Sequence, residues 1–476
     1  MSGAPSRPDG VPTDQLLAWA TGLTLSQLPS AAIERLRDDV VDGLGCGLFG
    51  STLSATHALR DVLLAPGGRA AASCTVWGTS ARAAPLDAAV INAAAVNGFE
   101  LDDGNRLVRN VHGSMTIYPV LLAVCEMTHA VSGEDFIVAA AAGWETSARV
   151  SAALGPTVMD RGFYGTPMYA TLGAAVVAGR ALHLDAERMR AAFELALLRS
   201  SGLSVTSEEG MGKPLTSGEA VRSGLLAALL ASKGARGPRH AYDHPKGYAA
   251  AFSALGERND DVLVVRPGEA LACEHILFKT YASCGAAHPV ADVLADLMQK
   301  HPTIGPDTVD SVRIRLGVTS ARHIGSPYVP SDVTNAQFNI RYCVAAQLLE
   351  GDNSATQFRL ELLSDERLLE LTRRVEVIAD PSVGSRSTRV RNEAFVTMQL
   401  TDGTTLEGHA EASRDADRAA IRKKFAALAS GTIAPDAQER LLAAVDDLEH
   451  QRDAAVLAPL LAITGEPANT RKTGRM

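Results

Sequence analysis

The chain has no long apolar run, no cysteine pair motif and few aromatic residues. Aromatic side chains make up 5% of its 476 residues, and the six cysteines are scattered, with no C-x-x-C pair. No stretch approaches the roughly 18 to 20 uninterrupted apolar residues that a membrane-spanning helix needs. Scattered thiols in a large acidic chain indicate a reducing compartment, not a disulfide framework. We therefore expect a cytoplasmic protein without a membrane partner.

Positive charge is not concentrated anywhere along the sequence. Lys and Arg total 45 against 54 Asp and Glu, which gives a net charge of −9. The absence of a basic run argues against a nucleic-acid partner. The first twelve residues lack the apolar segment of a secretory signal. The twelve histidines show no tight metal-ligand spacing, so no bound metal is expected.

What the sequence does contain is abundant alanine. Apolar residues make up 46% of the chain and come largely from Ala. Ala is the best helix former, and its small side chain lets helix axes approach closely. Ser30 is expected to cap the first long helix. Periodicity predicts helices over 31–49, 88–99, 118–130, 134–154, 171–181, 186–202 and 217–233.

The pattern changes near Arg266. Residues 312–316 and 375–378 alternate apolar and charged side chains, as half-buried strands do. Residues 394–407 are typical of a hairpin that turns at Asp402-Gly403. Further helices are predicted over 287–299, 338–350, 365–374 and 415–461. An α+β region therefore follows the helical part, and the chain then returns to helices.

One glycine pattern, Gly45-x-Gly47-x-x-Gly50, matches the fingerprint of a dinucleotide-binding loop. That motif needs a strand before the glycines and a helix after them. Here residues 33–44 are helical and lead straight into the glycines. The pattern therefore indicates small residues where helices cross, and no nucleotide cofactor is expected.

Three polar clusters interrupt the apolar helices, and the first lies between two predicted helices. It runs Glu100-Leu101-Asp102-Asp103-Gly104-Asn105-Arg106 and is followed by His112. Several acids, an Arg and a His within a loop are typical of a functional site. Asp102 and Asp103 fit equally well as helix caps or as solvated loop residues.

The other two clusters each lie at the start of a predicted helix. Tyr164 precedes one helix, where it fits either a site or a packed core. Lys213 lies just upstream of a helix that begins near Ser217. A helix N-terminus and burial both disfavour an ammonium group, and both would lower the pKa of Lys213 towards that of a base. A solvated surface lysine fits the same residues.

Taken together, these clusters resemble the MmgE/PrpD family. The family includes 2-methylcitrate dehydratases, cis-aconitate decarboxylases and iminodisuccinate epimerases. The similarity runs from about Leu16 to Leu461, in five segments that follow the family's order and spacing. These segments are NGFELDDGNRLVRNVHGS, GFYGTPMYATLGAAVVAGRALHLD, GKPLTSGEAVRSGLLAALLASKGARGP, FKTYASCGAAHPVAD and QFNIRYCVAAQLLEGD.

The resemblance implies a mainly α fold. It predicts a large all-helical domain built from N- and C-terminal parts, 13–265 and 413–465, and a smaller α+β lid domain over 266–412. Disordered ends are expected at 1–12 and 466–476. The active site would lie in the cleft between the domains. The resemblance also implies a homodimer, with no metal or organic cofactor.

The same resemblance implies roles for individual residues. The conserved histidine of the motif falls on His112, and the catalytic-site lysine falls on Lys213. The acidic loop of the family falls on Asp102 and Asp103. A lid position falls on Cys284, and the tyrosine of a Y-x-V-A segment falls on Tyr342. From the residues themselves, Arg106, Lys279 and Lys213 are cations available to bind a di- or tricarboxylate substrate.

Some positions depart from the family pattern. Tyr164 stands where decarboxylase-like members usually have a His, and Thr216 where a His often follows K-P-L. The loop to His112 is about two residues longer than in the family. These departures favour an epimerase of an imino- or amino-dicarboxylic acid, similar to iminodisuccinate epimerase.

In that epimerase, Lys213 and Tyr164 would serve as the two acid/base groups, one on each face of the reacting carbon. The Lys213 cation would lower the pKa of the Tyr164 phenol, and burial would lower the pKa of Lys213. His112 would hold or polarise a substrate carboxylate. Two alternatives stay open. One is a lyase resembling cis-aconitate decarboxylase or 2-methylcitrate dehydratase, and the other is a homologue that binds carboxylates without catalysis.

Overall fold

The structure is a computed structural model that describes residues 11–65, 73–155, 158–254, 257–384 and 392–463. It is mainly helical with small sheets, which confirms the predicted fold class. The expected disordered ends fall almost wholly on residues 1–10 and 464–476, which lie outside the described residues. Pro12, assigned above to the N-terminal tail, begins the first helix.

The first half of the chain is built from helices in the described ranges. They are α1 (Pro12–Gly22), α2 (Ser30–Gly50), α3 (Ser54–Leu63), α4 (Pro85–Val96), α5 (Gly113–Thr128), α6 (Gly133–Leu154), α7 (Gly165–Ala181), α8 (Ala186–Leu197), α9 (Gly212–Ser232) and α10 (Tyr248–Phe252). Helix α7 packs against both α6 and α9, and α9 also packs against α4. These faces are rich in buried Ala, as the composition predicts.

Several helix ends differ from the sequence prediction. Ser30 is the first residue of α2 and does not act as its cap, because Pro29 holds that position. Helix α4 ends at Val96, before Phe99. Helix α9 begins at Gly212 and not at Ser217, because Pro214 falls in its first turn, where the missing N–H of proline costs no hydrogen bond.

The glycines of the false fingerprint lie inside α2 and make close helix contacts. A Cβ atom on Gly47 would come within 2.6 Å of the Trp77 ring, and one on Gly50 within 1.8 Å of the Ala95 carbonyl oxygen. Neither distance leaves room for a side chain. The predicted small residues at a helix crossing are therefore confirmed, because Ala95 lies on α4, which packs against α2.

The second half of the chain combines helices with a sheet. Its helices in the described ranges are α11 (His288–Lys300), α12 (Val318–Ile324), α13 (Val333–Gln337), α14 (Ile340–Glu350), α15 (Leu360–Leu363), α16 (Glu366–Arg373), α17 (Arg418–Ala429) and α18 (Pro435–Asp446). Helix α17 packs against α2, so the end of the chain returns to its beginning. The division into a helical and a lid domain stays a prediction.

Within the part of the chain that the structure describes, the strands form one four-stranded sheet and two short ribbons. The ribbons pair β1 (Cys74–Thr75) with β2 (Arg82–Ala83) and β3 (Gly104–Asn105) with β4 (Ile276–Leu277). The sheet contains β5 (Val309–Leu316), β6 (Val375–Ala379), β7 (Ala394–Leu400) and β8 (Thr405–Ala410), in the order β6-β5-β7-β8. Strands β5 and β6 run parallel, and the other pairs are antiparallel. The predicted hairpin is confirmed as β7 and β8, with Gly403 at a φ of 88° in its turn.

The helices and the cysteines bear on the membrane and disulfide-bonded classes of protein. Among the described residues, no helix combines the length and the apolar character that crossing a bilayer requires. The six cysteines are unpaired thiols, and all except Cys284 are buried.

Candidate active site

The loop between α4 and α5 folds onto the start of α5 through Asp103. One oxygen of Asp103 accepts a hydrogen bond from the Gly113 N–H at 2.7 Å, and the other accepts from the Ser114 N–H at 3.0 Å. The Ser114 hydroxyl donates to the same carboxyl group. A helix N-terminus leaves these N–H groups unpaired. Asp103 is therefore a helix cap, and it accounts for the start of α5 at Gly113 instead of the predicted Tyr118.

Asp102 is fully buried and faces His112. Its Oδ2 accepts a hydrogen bond from Asn97 Nδ2 at 2.7 Å and lies 3.1 Å from His112 Nδ1. Burial favours the neutral carboxyl, but His112 and Lys279 outweigh burial and hold the pKa of Asp102 below its ordinary range. Because Nδ1 faces Asp102, the Nε2 edge of His112 is left for a substrate.

Lys213 lies in the first turn of α9 and is only 3% exposed. The solvated surface lysine is therefore excluded. Its Nζ donates to the Asn97 carbonyl at 3.0 Å and pairs with Glu100. Burial disfavours the ammonium, yet Glu100 and Asp102 outweigh it and raise the pKa of Lys213. The expected lowering of this pKa is wrong, because folding places two buried acids beside the lysine.

Lys279 pairs with the same glutamate. Its Nζ donates to Glu100 Oε2 at 2.7 Å and lies 3.7 Å from Asp102 Oδ1. Burial again disfavours the ammonium, but the two acids raise the pKa of Lys279 to about 12. Two buried ammonium groups thus share the carboxylate of Glu100, and the neighbouring carboxylate of Asp102 balances the second positive charge.

Glu100 is held in an unusual backbone conformation. Its φ is 51°, in the left-handed region, which costs a residue other than glycine roughly 1 kcal/mol or more. Burial raises the pKa of Glu100, but Lys213 and Lys279 outweigh burial and lower it to about 2. Glu100 opens the first polar cluster, yet no local pattern marks it as a site residue. Its role as common counter-ion appears only when residues far apart in the chain meet.

A cavity of about 810 Å³ opens beside these charges, within the usual size of a small-molecule site. Five of the predicted site residues line it, namely Arg106, His112, Tyr164, Lys279 and Cys284. Of the residues that the structure describes, the cavity wall does not include Asp102, Asp103, Lys213 or Tyr342. Asp102 and Lys213 lie behind that wall. Asp102 contacts the lining residue His112, and Lys213 contacts the lining residue Glu100.

Tyr164 lies immediately before α7 and is 4% exposed. Burial and the negative charge of Glu100 raise the pKa of its phenol above the ordinary value. The expected lowering of this pKa is wrong, because burial and the charge of Glu100 outweigh the effect of the nearby cations. Tyr164 therefore presents a neutral hydroxyl to the cavity and not a phenolate base.

Arg106 and Cys284 lie on the cavity wall with different surroundings. The guanidinium of Arg106 lies 3.4 Å from Asp415 and is partly exposed. The backbone N–H of Cys284 donates to the Gln337 carbonyl at 2.9 Å. Burial raises the pKa of the Cys284 thiol to about 11, so this side chain faces the cavity as a neutral thiol.

Tyr342 lies in an aromatic core, away from the cavity wall. Its side chain is fully buried, and its hydroxyl donates to the Gln357 carbonyl at 2.5 Å. The rings of Tyr328 and Phe358 lie 5.1 and 5.4 Å from its own. The substrate contact implied by the resemblance is not seen, because the buried face of α14 carries this ring into the core.

Among the described residues, three further basic side chains line the cavity besides those predicted from the sequence. They are Arg109, Arg322 and His323. Arg109 follows Arg106 by three residues in the same loop, which is a signal that the sequence contained. His323 lies on the short helix α12 and packs edge-on against Phe338 at 5.4 Å. No local pattern marks that histidine.

The side chains of this site offer two kinds of chemistry. Arg109, Lys279 and Arg106 can bind carboxylates, while His112 and Tyr164 can donate protons. Within the described ranges, no three His, Cys, Asp or Glu side chains are grouped so that they could hold a metal ion.

Comparison with known proteins matches two family models to most of the chain. Residues 14–259 match the MmgE/PrpD N-terminal domain, and residues 281–450 match the MmgE/PrpD C-terminal domain. A cis-aconitate decarboxylase-like protein of Aspergillus oryzae is 27% identical, over 97% of this chain and 99% of its own. The cis-aconitate decarboxylases of Mus musculus and Homo sapiens are each 26% identical over 94% of this chain, and over 93% and 94% of their own.

Proposed function

Since this chain belongs to the MmgE/PrpD family of enzymes, we propose that it is a lyase that decarboxylates a small unsaturated tricarboxylic acid of the cis-aconitate type. One observation carries the proposal. Two buried ammonium groups share the carboxylate of Glu100 directly beside the cavity that His112 lines. That arrangement places the Lys279 ammonium on the cavity wall, where it can bind a polyanion, and His112 on the same wall as a proton donor for the reacting carbon.

The reaction needs one proton donor and no base that removes a C–H proton. When cis-aconitate loses the carboxylate of its methylene arm, the C–C bond breaks and CO2 leaves. The electron pair of that bond forms a new double bond, and the old double bond takes up one proton. We assign that proton to His112 Nε2, with Asp102 behind the ring stabilising the imidazolium. Lys279 and Arg109 line the cavity where they can bind the remaining carboxylates.

The epimerase predicted from the sequence has less physical support. A two-base epimerase needs Lys213 or Tyr164 to lose its proton near neutral pH. The buried acids raise the pKa of Lys213, and burial raises that of Tyr164. Both shifts favour the protonated forms, which suit a site that binds anions and donates protons.

Proton NMR in D2O tests the lyase against the epimerase. The purified enzyme is incubated with cis-aconitate, and separately with single stereoisomers of amino- and hydroxy-dicarboxylates. We expect CO2 release from cis-aconitate and one deuterium per product molecule. Deuterium uptake at an α-carbon without CO2 release would favour the epimerase. No change in any substrate would favour the homologue that only binds carboxylates.

Three family expectations stay predictions. The chain is expected to form a homodimer, which analytical ultracentrifugation tests directly. The two-domain arrangement with a lid is tested by small-angle scattering with and without a carboxylate. Cofactor independence is tested by dialysis against a chelator, after which we expect full activity.

A further inference from the structure

Lys424 on α17 is a half-buried lysine that reaches the active-site loop from the far end of the chain. Its Nζ donates to Asp42 Oδ1 at 2.7 Å and to the Leu101 carbonyl at 2.6 Å. More than 300 residues separate Lys424 from both partners in the sequence. The side chain is 15% exposed and that of Asp42 is fully buried, so both contacts are partly shielded from solvent.

The Lys424 ammonium compensates the negative charge of the Asp42 carboxylate, whose burial is unfavourable. Burial raises the pKa of Asp42, Lys424 opposes that rise, and the nearby negative charge of Asp102 adds to it. Asp42 also lies one helical turn before Cys46, with its carboxylate 4.0 Å from the thiol. Without the ammonium, α2 would hold an unpaired carboxylate within the core.

The contact with Leu101 bears directly on the active site. Leu101 stands between Glu100, which pairs with Lys213 and Lys279, and Asp102, which faces His112. The Leu101 carbonyl therefore belongs to the backbone that positions the carboxylates of Glu100 and Asp102. A hydrogen bond at 2.6 Å from a charged donor is among the strong ones, and it comes from an element outside the loop.

The packing of α17 makes Lys424 a rigid donor. The next residue, Phe425, fills the space left by Gly45 of α2, where an added Cβ would lie 3.2 Å from the Phe425 ring. Phe425 is 1% exposed. A helix fixed in this way can hold a side chain in one position relative to α2 and to the loop.

We propose that Lys424 is a positioning residue for the reaction. Lys424 holds the backbone from Glu100 to Asp102 in place, and through Asp102 it orients His112 at the cavity. The ammonium does not line the cavity among the described residues and acts through Leu101 and Asp42. The proposal rests on the lyase function for its catalytic consequence, while its structural consequence can be measured without any substrate.

Hydrogen–deuterium exchange on the full chain tests the structural consequence. In Lys424→Met, we expect amides of residues 100–112 to exchange about tenfold faster or more, while those of α6 keep their protection. Lys423→Met is the matched control, because Lys423 is the exposed neighbour on the same helix. It should leave residues 100–112 as in the parent. Lys424→Arg should restore most of the protection. Unchanged exchange of residues 100–112 in Lys424→Met would overturn the proposal.

A double variant separates positioning from simple charge compensation. Lys424→Met with Asp42→Asn removes the unpaired buried carboxylate and still lacks the hydrogen bond to Leu101. We expect α6 to be fully protected in this variant and residues 100–112 to remain fast. If residues 100–112 regain the protection of the parent, Lys424 only neutralises Asp42 and the positioning role is refuted.

Kinetics test the catalytic consequence. With cis-aconitate, Lys424→Met should lower kcat about tenfold or more and change KM less, because the proton donor is misplaced while the cavity cations remain. A kcat equal to that of Lys423→Met would refute the catalytic part. If the parent enzyme releases no CO2, the lyase function fails, and the exchange experiment still decides whether Lys424 positions the loop.

Discussion

The buried carboxylate of Asp102 lies 3.1 Å from Nδ1 of His112, on the side of the ring away from the cavity. A carboxylate in this position fixes the ring orientation and leaves Nε2 facing the cavity. His112 also occupies the position just before α5, where the capped helix start holds its backbone. Proton transfer from His112 therefore depends on a residue that the substrate does not touch.

Replacing Asp102 by Asn tests that dependence. Asp102→Asn keeps the size of the side chain and removes its charge. We expect kcat for CO2 release to fall about 10²-fold to 10³-fold with a smaller change in KM, since His112 loses its anionic partner. Asp103→Asn is the matched control, because Asp103 caps α5. It should mainly lower the midpoint of thermal unfolding. Equal losses of kcat in both variants would contradict the assignment.

Tyr164 and His112 should differ in their importance. If Tyr164 is a neutral donor, Tyr164→Phe removes one hydrogen bond and should lower kcat about tenfold. His112→Asn removes the proton donor and should lower kcat at least about 10²-fold. Rapid-quench measurements of CO2 release compare the two variants. A loss in Tyr164→Phe that matches or exceeds the loss in His112→Asn would restore the tyrosine as an acid/base group.

Removing the carboxylate of Glu100 should leave two lysines that can bind an added anion. That bound anion should then stabilise the folded state. In Glu100→Gln, Lys213 and Lys279 lose their common counter-ion and keep only Asp102 nearby, and breaking a buried ion pair typically costs about 3–5 kcal/mol. We expect a lower free energy of unfolding, and a larger gain on adding sulfate or citrate than the parent shows. Chemical unfolding with and without the anion measures both effects. An equal gain in parent and variant would show that these lysines do not take up the anion.

Asp39 lies on α2 behind the site, and its titration should make the free energy of unfolding depend on pH. It accepts hydrogen bonds from the Tyr118 hydroxyl at 2.7 Å and from Trp144 Nε1 at 2.9 Å. Burial raises the pKa of Asp39 from 3.8 to about 7. Between about pH 4 and pH 7 the folded chain keeps a proton on Asp39 that the unfolded chain releases. The contribution of this proton to the free energy of unfolding is therefore full below about pH 4 and is lost as pH rises to about 7.

Asp39→Asn removes this titration and keeps a hydrogen-bond acceptor. The free energy of unfolding of the parent should therefore fall relative to that of the variant as pH rises from about 4 to about 7, by about 1.4 kcal/mol for each unit of pKa shift at most. Urea unfolding at a series of pH values measures the difference. Asp61→Asn is the control, because Asp61 has a 77% exposed side chain. Parallel curves for the parent and Asp39→Asn would refute the buried titration.

The sequence predicted elements well where the cause was local. The hairpin of β7 and β8 follows from alternation and an Asp-Gly turn, and the long helices follow from periodicity. Helix α5 begins earlier than predicted, because Asp103 supplies its cap from ten residues away in the chain. A cap across that distance leaves no local pattern to read.

The site was harder to predict than the fold, because its charges come from distant segments. The sign of the pKa shift of Lys213 depends on Glu100, which lies more than one hundred residues earlier. His323 reaches the cavity from a short helix that no periodicity marks. Residue type alone identified His112 and Lys279 as chemically useful, but only tertiary contacts show that Tyr342 belongs to the core.

The short ribbon of β3 and β4 limits how this enzyme can evolve. Gly104 pairs with Leu277 and Asn105 with Ile276, so the acidic residues just before Gly104 are in register with Lys279, two residues after Leu277. An insertion of one residue on either side would slip that register and turn the side chains to the wrong face. Length can change only after the ribbon, on the way to His112. That stretch carries Arg106 and Arg109 to the cavity. Changes in substrate preference among relatives should therefore accumulate between residues 106 and 111, while the segment from Glu100 to Asn105 keeps its length.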